Sequence, residues 1–277
     1  MFRSSTLDRS RHQLARLGSA GSRIFKLAIS FLDNSKYLLF QEKCRICKRY
    51  IHPDMKGMDY KLFRPPASII FKEKELQCDA ICRFCWRLIS SEQPMATAYE
   101  LVMESGEIDY LKVISAVSFQ GETKKVIYQF KYDGDLLLAK DLAMLALAAW
   151  QKIASILSPD LASIVAVPLH RSRLRERGFN QSELIAKCLS RFARIRLSSD
   201  ALKRIKKTVS QQQLGKLERL SNVRKAFLAN PALVRNRQII LVDDVLTSGA
   251  TILECARTLK EAGAASIIAL TVAKVEL

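Results

Sequence analysis

Long apolar runs are absent from this sequence. The longest uninterrupted run, residues 142–150, falls well short of the roughly 20 apolar residues that a transmembrane helix needs, so we predict no membrane span. Apolar residues nevertheless make up 49% of the chain and the mean hydropathy is +0.02, which indicates an ordinary globular protein. With 277 residues, the chain has room for one sizeable core and a second, smaller module.

Acidic residues are also scarce. The chain has 27 acidic residues against 45 Lys and Arg, which gives a formal net charge of +18. Such a field attracts polyanions such as nucleic acid, phosphorylated metabolites or anionic lipid, although a solvated basic surface has the same composition. Residues 1–36 have only Asp8 and Asp33 as acids, which is typical of an organellar transit peptide or of a basic arm that is disordered or forms a short helix.

The order of the predicted elements indicates an α/β domain. The predicted strands are residues 114–119, 164–168, 238–245 and 266–272, and the predicted helices are residues 123–131, 136–157, 179–192 and 251–262. Strands that alternate with helices predict βαβ units and a parallel sheet. We expect a very basic loop after Pro168, with Asn180 capping the helix that follows it. Residues 203–222 are polar and predict a mobile loop or a short helix.

The strand at residues 238–245 leads into a segment with the properties of an anion site. Asp243 and Asp244 stand at its carboxyl end, where carboxylates can grip ribose hydroxyls or Mg²⁺. The turn that follows consists of Thr247, Ser248, Gly249, Ala250 and Thr251. Its backbone N–H groups open a helix and can bind a phosphate, which Gly249 lets come close. An ordinary strand–turn–helix shares this pattern, but the paired acids favour phosphoribosyl pyrophosphate (PRPP) or a nucleotide.

Four of the seven cysteines form two Cys-x-x-Cys pairs. The pairs are Cys44 with Cys47 and Cys82 with Cys85. Four thiolates at this spacing are typical of structural Zn²⁺, with a redox pair as the competing interpretation, and they indicate a reducing compartment such as the cytoplasm. Cys78 could replace one member of the second pair. We predict a zinc module at residues 37–95 whose folding is coupled to the metal.

Several motifs together resemble the ComF/GntX family, whose members carry a type I phosphoribosyltransferase domain behind a zinc module. The residues that carry the resemblance are 131–135 (KYDGD), 167–181 (VPLHRSRLRERGFNQ), Arg204, Thr208, Gln211, Arg219, Asn222, Ala226, Phe227, the segment 239–251, and Cys82 with Cys85. They occur in the family's order over about residues 38–275. The resemblance implies a Rossmann-like phosphoribosyltransferase domain at residues 96–277.

The resemblance also implies roles for individual residues. Asp243 and Asp244 would hold the ribose hydroxyls of PRPP, and the loop from Thr247 to Thr251 would hold its 5′-phosphate. Three arginines after Pro168 fall where the family binds diphosphate, which they could neutralise together with Mg²⁺. They are Arg171 and Arg173, grouped with the acid pair as catalytic candidates, and Arg177. Residues 203–222 fall where type I enzymes keep a flexible lid.

The family further implies a role in natural transformation, where incoming single-stranded DNA is received on the cytoplasmic side of the membrane with other uptake proteins. The segment 171–207 agrees with this, because it holds twelve Lys or Arg residues against Glu176, Glu183 and Asp200, and a basic stripe can track a phosphate backbone. The alternative is an active phosphoribosyltransferase of nucleotide or metabolite salvage without a DNA role. No acceptor pocket is recognisable in the sequence, so whether the chain is an enzyme stays open.

Overall fold

A computed structural model of the chain describes residues 42–51, 80–207 and 223–276. The basic arm predicted for residues 1–36, Cys78, and residues 208–222 of the predicted lid lie outside these ranges. Within them, no helix is both long and apolar enough to cross a membrane.

A six-stranded sheet forms the centre of the fold. The strands of the described chain are β1 (Met95–Val102), β2 (Ile108–Ser118), β3 (Ala162–Ala166), β4 (Arg196–Leu197), β5 (Leu202–Arg204), β6 (Phe227–Ala229), β7 (Gln238–Leu246) and β8 (Ser266–Lys274). The sheet order is β1-β2-β8-β7-β3-β4, and β5 pairs with β6 in a separate ribbon. In the sheet, β1 pairs antiparallel with β2 and the other neighbours are parallel. The predicted α/β fold with a largely parallel sheet is confirmed.

Helices cover both faces of the sheet. They are α1 (Arg83–Ile89), α2 (Gly121–Tyr128), α3 (Leu138–Trp150), α4 (Arg171–Arg177), α5 (Gln181–Ala193), α6 (Pro231–Val234) and α7 (Ala250–Glu261), with a π-turn at Gln129–Asp133 and a 3-10 turn at Ala154–Ile156. Helices α3 and α5 pack on one face, and α7 with the β5–β6 ribbon packs on the other. Successive β7 residues such as Ile239 and Ile240 therefore enter different apolar clusters, as the two-residue period of a strand requires.

The segment after Pro168 forms helix α4, so the predicted basic loop is wrong there. His170 is the N-cap of this helix: its Nδ1 accepts a hydrogen bond from the backbone N–H of Ser172 at 3.2 Å. Gly178, with φ of 81°, ends it in a left-handed conformation that suits glycine. The segment has no apolar period because α4 is short and has no buried residue, so nothing in its pattern marked a helix.

Several further elements differ from the sequence expectation. Strand β5 (Leu202–Arg204) lies at the start of the segment 203–222, for which a loop or short helix was predicted, and the short elements α1, β4, β6 and α6 were not predicted because none is long enough to show a period. The helix predicted for residues 136–157 ends at Trp150, and a 3-10 turn (Ala154–Ile156) precedes β3. The antiparallel strand β1 was not predicted. It alternates between half-buried and exposed positions up to Leu101, so it lacks the continuous apolar run of the central strands. Its hairpin turn contains Gly106 at φ of 87°.

The cysteine segments are part of the same apolar core as the sheet. Cys44, Cys82 and Cys85 belong to the cluster that contains α3 and α5, as does Trp86 of α1. The fully buried carboxylate of Asp141 in α3 accepts a hydrogen bond from the Ala80 backbone N–H at 3.0 Å. Apolar packing and one buried polar contact therefore hold the cysteine module against the larger domain.

Candidate functional site

The acid pair lies at the carboxyl edge of the sheet. Asp243 and Asp244 lie in the carboxyl-terminal half of β7, a central strand between β8 and β3. The Ser182 hydroxyl, at the start of α5, donates to Asp243 Oδ1 at 2.6 Å, and Lys131 Nζ donates to Asp244 Oδ1 at 2.8 Å. Ligands of open parallel sheets bind at this edge. The two acids are thus held in place from two different helical segments.

The two carboxylates differ in their electrostatic environment. Burial raises the pKa of Asp243 to about 7, and the negative charge of Asp244 adds to the rise. The hydrogen bond from Ser182 and the charge of Lys131 act in the opposite direction without cancelling it. Near neutral pH, Asp243 therefore exchanges between its acid and its carboxylate form. A bound cation or a set of hydroxyl donors would favour the carboxylate.

The loop after β7 has the shape of an anion cradle. Gly249 adopts a left-handed conformation (φ of 79°) as the N-cap of α7, and the ring of Tyr99 on β1 lies against it. The left-handed conformation favours glycine here, and a Cβ on Gly249 would stand 3.1 Å from Tyr99 Cε1, so a larger residue would also require the Tyr99 ring to shift. The hydroxyl oxygen of Ser248 is buried and has no hydrogen-bond partner among the described residues. A buried hydroxyl without a partner can donate a hydrogen bond to an oxygen atom of a bound ligand.

The predicted arginines do not all occupy similar positions. Arg171 and Arg173 are exposed on α4, and Arg173 approaches Glu176 at 3.5 Å. Arg177 is half-buried and donates to Gln181 Oε1 at 2.8 Å. Asn180 occupies the N-cap position of α5, but the predicted cap hydrogen bond is absent. Its amide instead donates to the Val167 carbonyl at 3.1 Å, which ties the start of α5 to the end of β3.

Arg204 adds a positive charge to this edge. It lies on β5 with its guanidinium 5.4 Å from the centre of the Phe227 ring. Burial lowers its pKa, while the charge of Asp243 favours its protonated form and that of Arg173 opposes it. The guanidinium of Arg204 therefore lies within electrostatic reach of both the acid pair and α4.

Four residues of this site were not assigned to it from the sequence. They are Lys131, Ser182, Tyr99 and Arg204. Both Lys131 and Arg204 were among the residues that carried the family resemblance. Lys131 was given no role, and Arg204 was assigned only to the predicted lid and to the basic segment 171–207. Ser182 and Tyr99 had no distinguishing pattern, because β1 was unpredicted and a serine in the first turn of a helix is ordinary.

The four predicted metal ligands do come together. The Sγ atoms of Cys44, Cys47, Cys82 and Cys85 all lie within 4.8 Å of one another. Cys47 Sγ and Cys82 Sγ are 3.8 Å apart, which equals the edge, about 3.8 Å, of a tetrahedron with metal–sulfur bonds of about 2.3 Å. Burial raises the pKa of the Cys82 and Cys85 thiols, a cost that a thiolate-binding cation offsets. The cluster could hold a metal such as zinc.

Two ion pairs connect the cysteine cluster to the acid pair through a single short segment. Arg45, between the first two cysteines, forms a salt bridge with Asp135. Four residues earlier, on the π-turn Gln129–Asp133, Lys131 contacts Asp244. Phe130, which precedes Lys131, is fully buried and packs on Phe179 with ring centres 5.6 Å apart. The segment from Gln129 to Asp135 thus contacts both regions.

Comparison with known proteins agrees with this geometry. A family profile described as "Phosphoribosyl transferase domain" matches residues 153–276. The chain is 32% identical to the DNA utilization protein YhgH of Escherichia coli (strain K12) over 160 residues, covering 56% of this chain and 69% of YhgH. It is also 32% identical to competence protein F of Haemophilus influenzae, covering 51% of this chain and 63% of that protein.

A third relative is competence protein ComFC of Bacillus subtilis, which is 32% identical over 158 residues, 56% of this chain and 60% of ComFC. The fold and the matched domain define a protein of the phosphoribosyltransferase class with a cysteine module at its amino-terminal side. Within that class, the chain belongs to the ComF/GntX family.

Proposed function

We propose that the carboxyl edge of the sheet binds PRPP together with Mg²⁺. The observation that carries this proposal is the continuous arrangement of Asp243 and Asp244, Gly249 and the buried, unpartnered Ser248 hydroxyl around one strand end. Adjacent acids suit the vicinal hydroxyls of a ribose, and a helix N-terminus suits its phosphate. A single site thereby recognises both chemical groups of a phosphoribosyl ligand.

The ligand's parts are assigned to different elements of the site. Asp243 and Asp244 accept hydrogen bonds from the ribose hydroxyls. The 5′-phosphate is bound by the first N–H groups of α7 and by the loop residues Thr247, Ser248, Gly249, Ala250 and Thr251. Arg171, Arg173 and Arg177 neutralise the diphosphate, and Mg²⁺ supplies further positive charge when bound.

The four cysteines are proposed to bind structural Zn²⁺. Four sulfur atoms within 4.8 Å of one another would supply all four ligands of a tetrahedral ion, which is the arrangement of structural rather than catalytic zinc. The proposed role is to fold residues around Cys44 and Cys82 against α3, where they bury Trp86.

At the level of the whole protein, we propose a part in DNA uptake, in which the chain handles incoming single-stranded DNA. The relatives are a DNA utilization protein and competence proteins. Most of the twelve basic residues between 171 and 207 are exposed, including Lys187 and Arg191 on α5 and Arg196 on the edge strand β4. Reduced thiols and a PRPP ligand are typical of cytoplasmic proteins. The proposed DNA role would place the chain at the inner face of the membrane, in contact with other uptake proteins.

The PRPP site is tested by calorimetric titration of the full chain with PRPP, with and without Mg²⁺. We expect binding that requires Mg²⁺ and that is lost in the Asp243→Asn, Asp244→Asn double variant. Asp109→Asn is the matched control, because it also removes one carboxylate. Asp109 lies on β2, outside the acid pair, and forms an ion pair with Lys260 of α7 at 2.9 Å. Unchanged affinity in the double variant would remove the ribose assignment.

The DNA role is tested with labelled single-stranded DNA at increasing salt, with and without saturating PRPP. Contacts with phosphates release counterions, so the affinity should fall steeply as salt rises. An affinity that also changes with PRPP would support a strand-handling protein regulated at the phosphoribosyl site. Absence of DNA binding at low salt would contradict this role.

The alternative is an active phosphoribosyltransferase with an unidentified acceptor. It is favoured by the positive charge of Arg204, which interacts electrostatically with Asp243, because negative charge develops on a departing diphosphate. Release of diphosphate from PRPP with a nucleobase or an amine, without DNA binding, would select this function.

A further inference from the structure

Aromatic rings are stacked on the outer surface beside the acid pair. Tyr128 lies between Phe119, with ring centres 6.0 Å apart, and Tyr132, with ring centres 5.5 Å apart and planes at 27°. We call these three residues the aromatic ladder. Two cations face its rings: Lys124 Nζ lies 5.9 Å from the Tyr128 centre, and the Arg177 guanidinium lies 5.3 Å from that of Tyr132.

The ladder is exposed although it is firmly anchored. Tyr128 is 39% exposed and Tyr132 is 56% exposed. The residues between them face the opposite way, since Phe130 is fully buried and Lys131 contacts Asp244 at 2.8 Å. Exposed rings on an anchored segment lose little conformational freedom when they bind a ligand.

We infer that the aromatic ladder stacks the bases of single-stranded DNA. This inference rests on the proposed DNA-handling function and names the surface that performs it. Every base has a π-face that can stack on tyrosine without regard to sequence, and proteins that bind single strands combine such rings with a basic groove.

The charges around the ladder suit this ligand. Cation–π contacts at exposed sites are weaker than the stacking of a base on an aromatic ring. A base can therefore replace Lys124 or Arg177 over a ring, and the displaced cation can then neutralise the strand's phosphates. A neutral apolar peptide would use the rings but would leave both cations without a counter-charge.

The position of the ladder also connects it to the phosphoribosyl site. Tyr132 follows Lys131 directly, and Arg177 belongs to the helix that is proposed to bind diphosphate. A strand stacked on Tyr132 would therefore lie beside the acid pair. This arrangement gives PRPP and DNA a shared contact at Arg177.

The test compares an oligothymidylate strand with an abasic strand of the same length, both titrated against the full chain by fluorescence anisotropy. The wild-type chain should prefer the strand with bases by about tenfold. Tyr128→Leu should abolish that preference and keep its PRPP affinity, whereas Tyr128→Phe should retain the preference. Tyr110→Leu is the matched control, because Tyr110 is also an exposed tyrosine (66% exposed) but lies on β2 and outside the aromatic ladder.

Each outcome decides the inference. If Tyr128→Leu still prefers the strand with bases, or if the wild-type chain binds both strands equally well, the ladder does not stack bases, while the DNA-handling function stands. If the wild-type chain binds neither strand, the proposed function fails and this inference fails with it. Loss of the preference in Tyr128→Leu, with the control unchanged, supports the ladder.

Discussion

The cysteine cluster and the acid edge are two binding regions built in opposite ways. The cluster joins sulfur atoms from two segments, with Cys47 and Cys82 separated by 35 positions, and its buried thiols need a cation to be stable as thiolates. The acid edge comes from one continuous strand, turn and helix, β7 to α7, in the middle of the sheet. On the proposed functions, the cysteine region depends on its metal for its structure, whereas the acid edge is held by the fold.

This difference predicts different responses to mutation. Damage to the cysteine cluster should appear first as lost stability, because the metal and the packing of Trp86 are lost together. Damage to the acid edge should appear first as lost ligand affinity, because backbone hydrogen bonds of the central strands hold Asp243 and Asp244 whatever their side chains bind. The following variants are ordered from the largest expected effect to the smallest.

Cys82→Ser should lower the free energy of unfolding by on the order of 4 kcal/mol, since metal loss belongs to the most damaging class of mutations. The bound zinc should fall well below one ion per chain by elemental analysis. Cys188→Ala, on α5 and outside the cluster, should keep its zinc. Full zinc content in Cys82→Ser would show that this cysteine is not a ligand.

The stability of the wild-type chain should fall between about pH 5 and pH 7 relative to Asp243→Asn, by about 2 kcal/mol. The folded-state pKa of Asp243 is raised to about 7, so over this range the folded chain binds more protons than the unfolded chain. Rising pH therefore favours unfolding until the pKa is passed. Denaturant titrations at several pH values measure the difference, and parallel curves for the two proteins would contradict the raised pKa.

Gly249→Ala should lower stability by about 1–2 kcal/mol through its left-handed backbone, and further through the clash with Tyr99 at 3.1 Å. PRPP affinity should fall as the loop shifts. Gly106→Ala is the matched control, because Gly106 has a similar φ of 87° but nothing within 4 Å of the added Cβ. Thermal unfolding and PRPP titration of both variants separate backbone strain from the clash, and identical results would exclude a role for Tyr99.

Arg45→Met should have the smallest effect, at most about 1 kcal/mol in stability, because the Arg45–Asp135 pair is partly exposed. If the segment from Gln129 to Asp135 couples the two regions, PRPP affinity should also fall a few-fold while zinc remains bound. Arg49→Met is the control, since Arg49 is exposed in the same cysteine segment. Unchanged PRPP affinity in Arg45→Met would show that the two regions act independently.

Prediction from the sequence succeeded where the pattern is local. Continuous apolar runs predicted β3, β7 and β8, and helical spacing predicted α2, α5 and α7. It failed for β1 and α4, because neither buries a regular apolar face: β1 is a half-exposed edge strand and α4 has no buried residue. The four-cysteine cluster was predictable because Cys-x-x-Cys spacing is itself a local pattern.

The amino-acid sequence by itself determined the class of fold, the acid pair with the glycine-containing loop that follows it, and the cysteine pairs, because each depends on residues that are neighbours in the chain. Only the tertiary structure decided that Lys131 holds Asp244, 113 positions away, and that Ser182 holds Asp243. It also decided that Tyr99 lies against Gly249 and that Tyr128, Tyr132 and Arg177 form an exposed stack. These contacts follow from how the helices and the edge strand pack on the sheet, and packing at long sequence separation leaves no periodic signal in the chain.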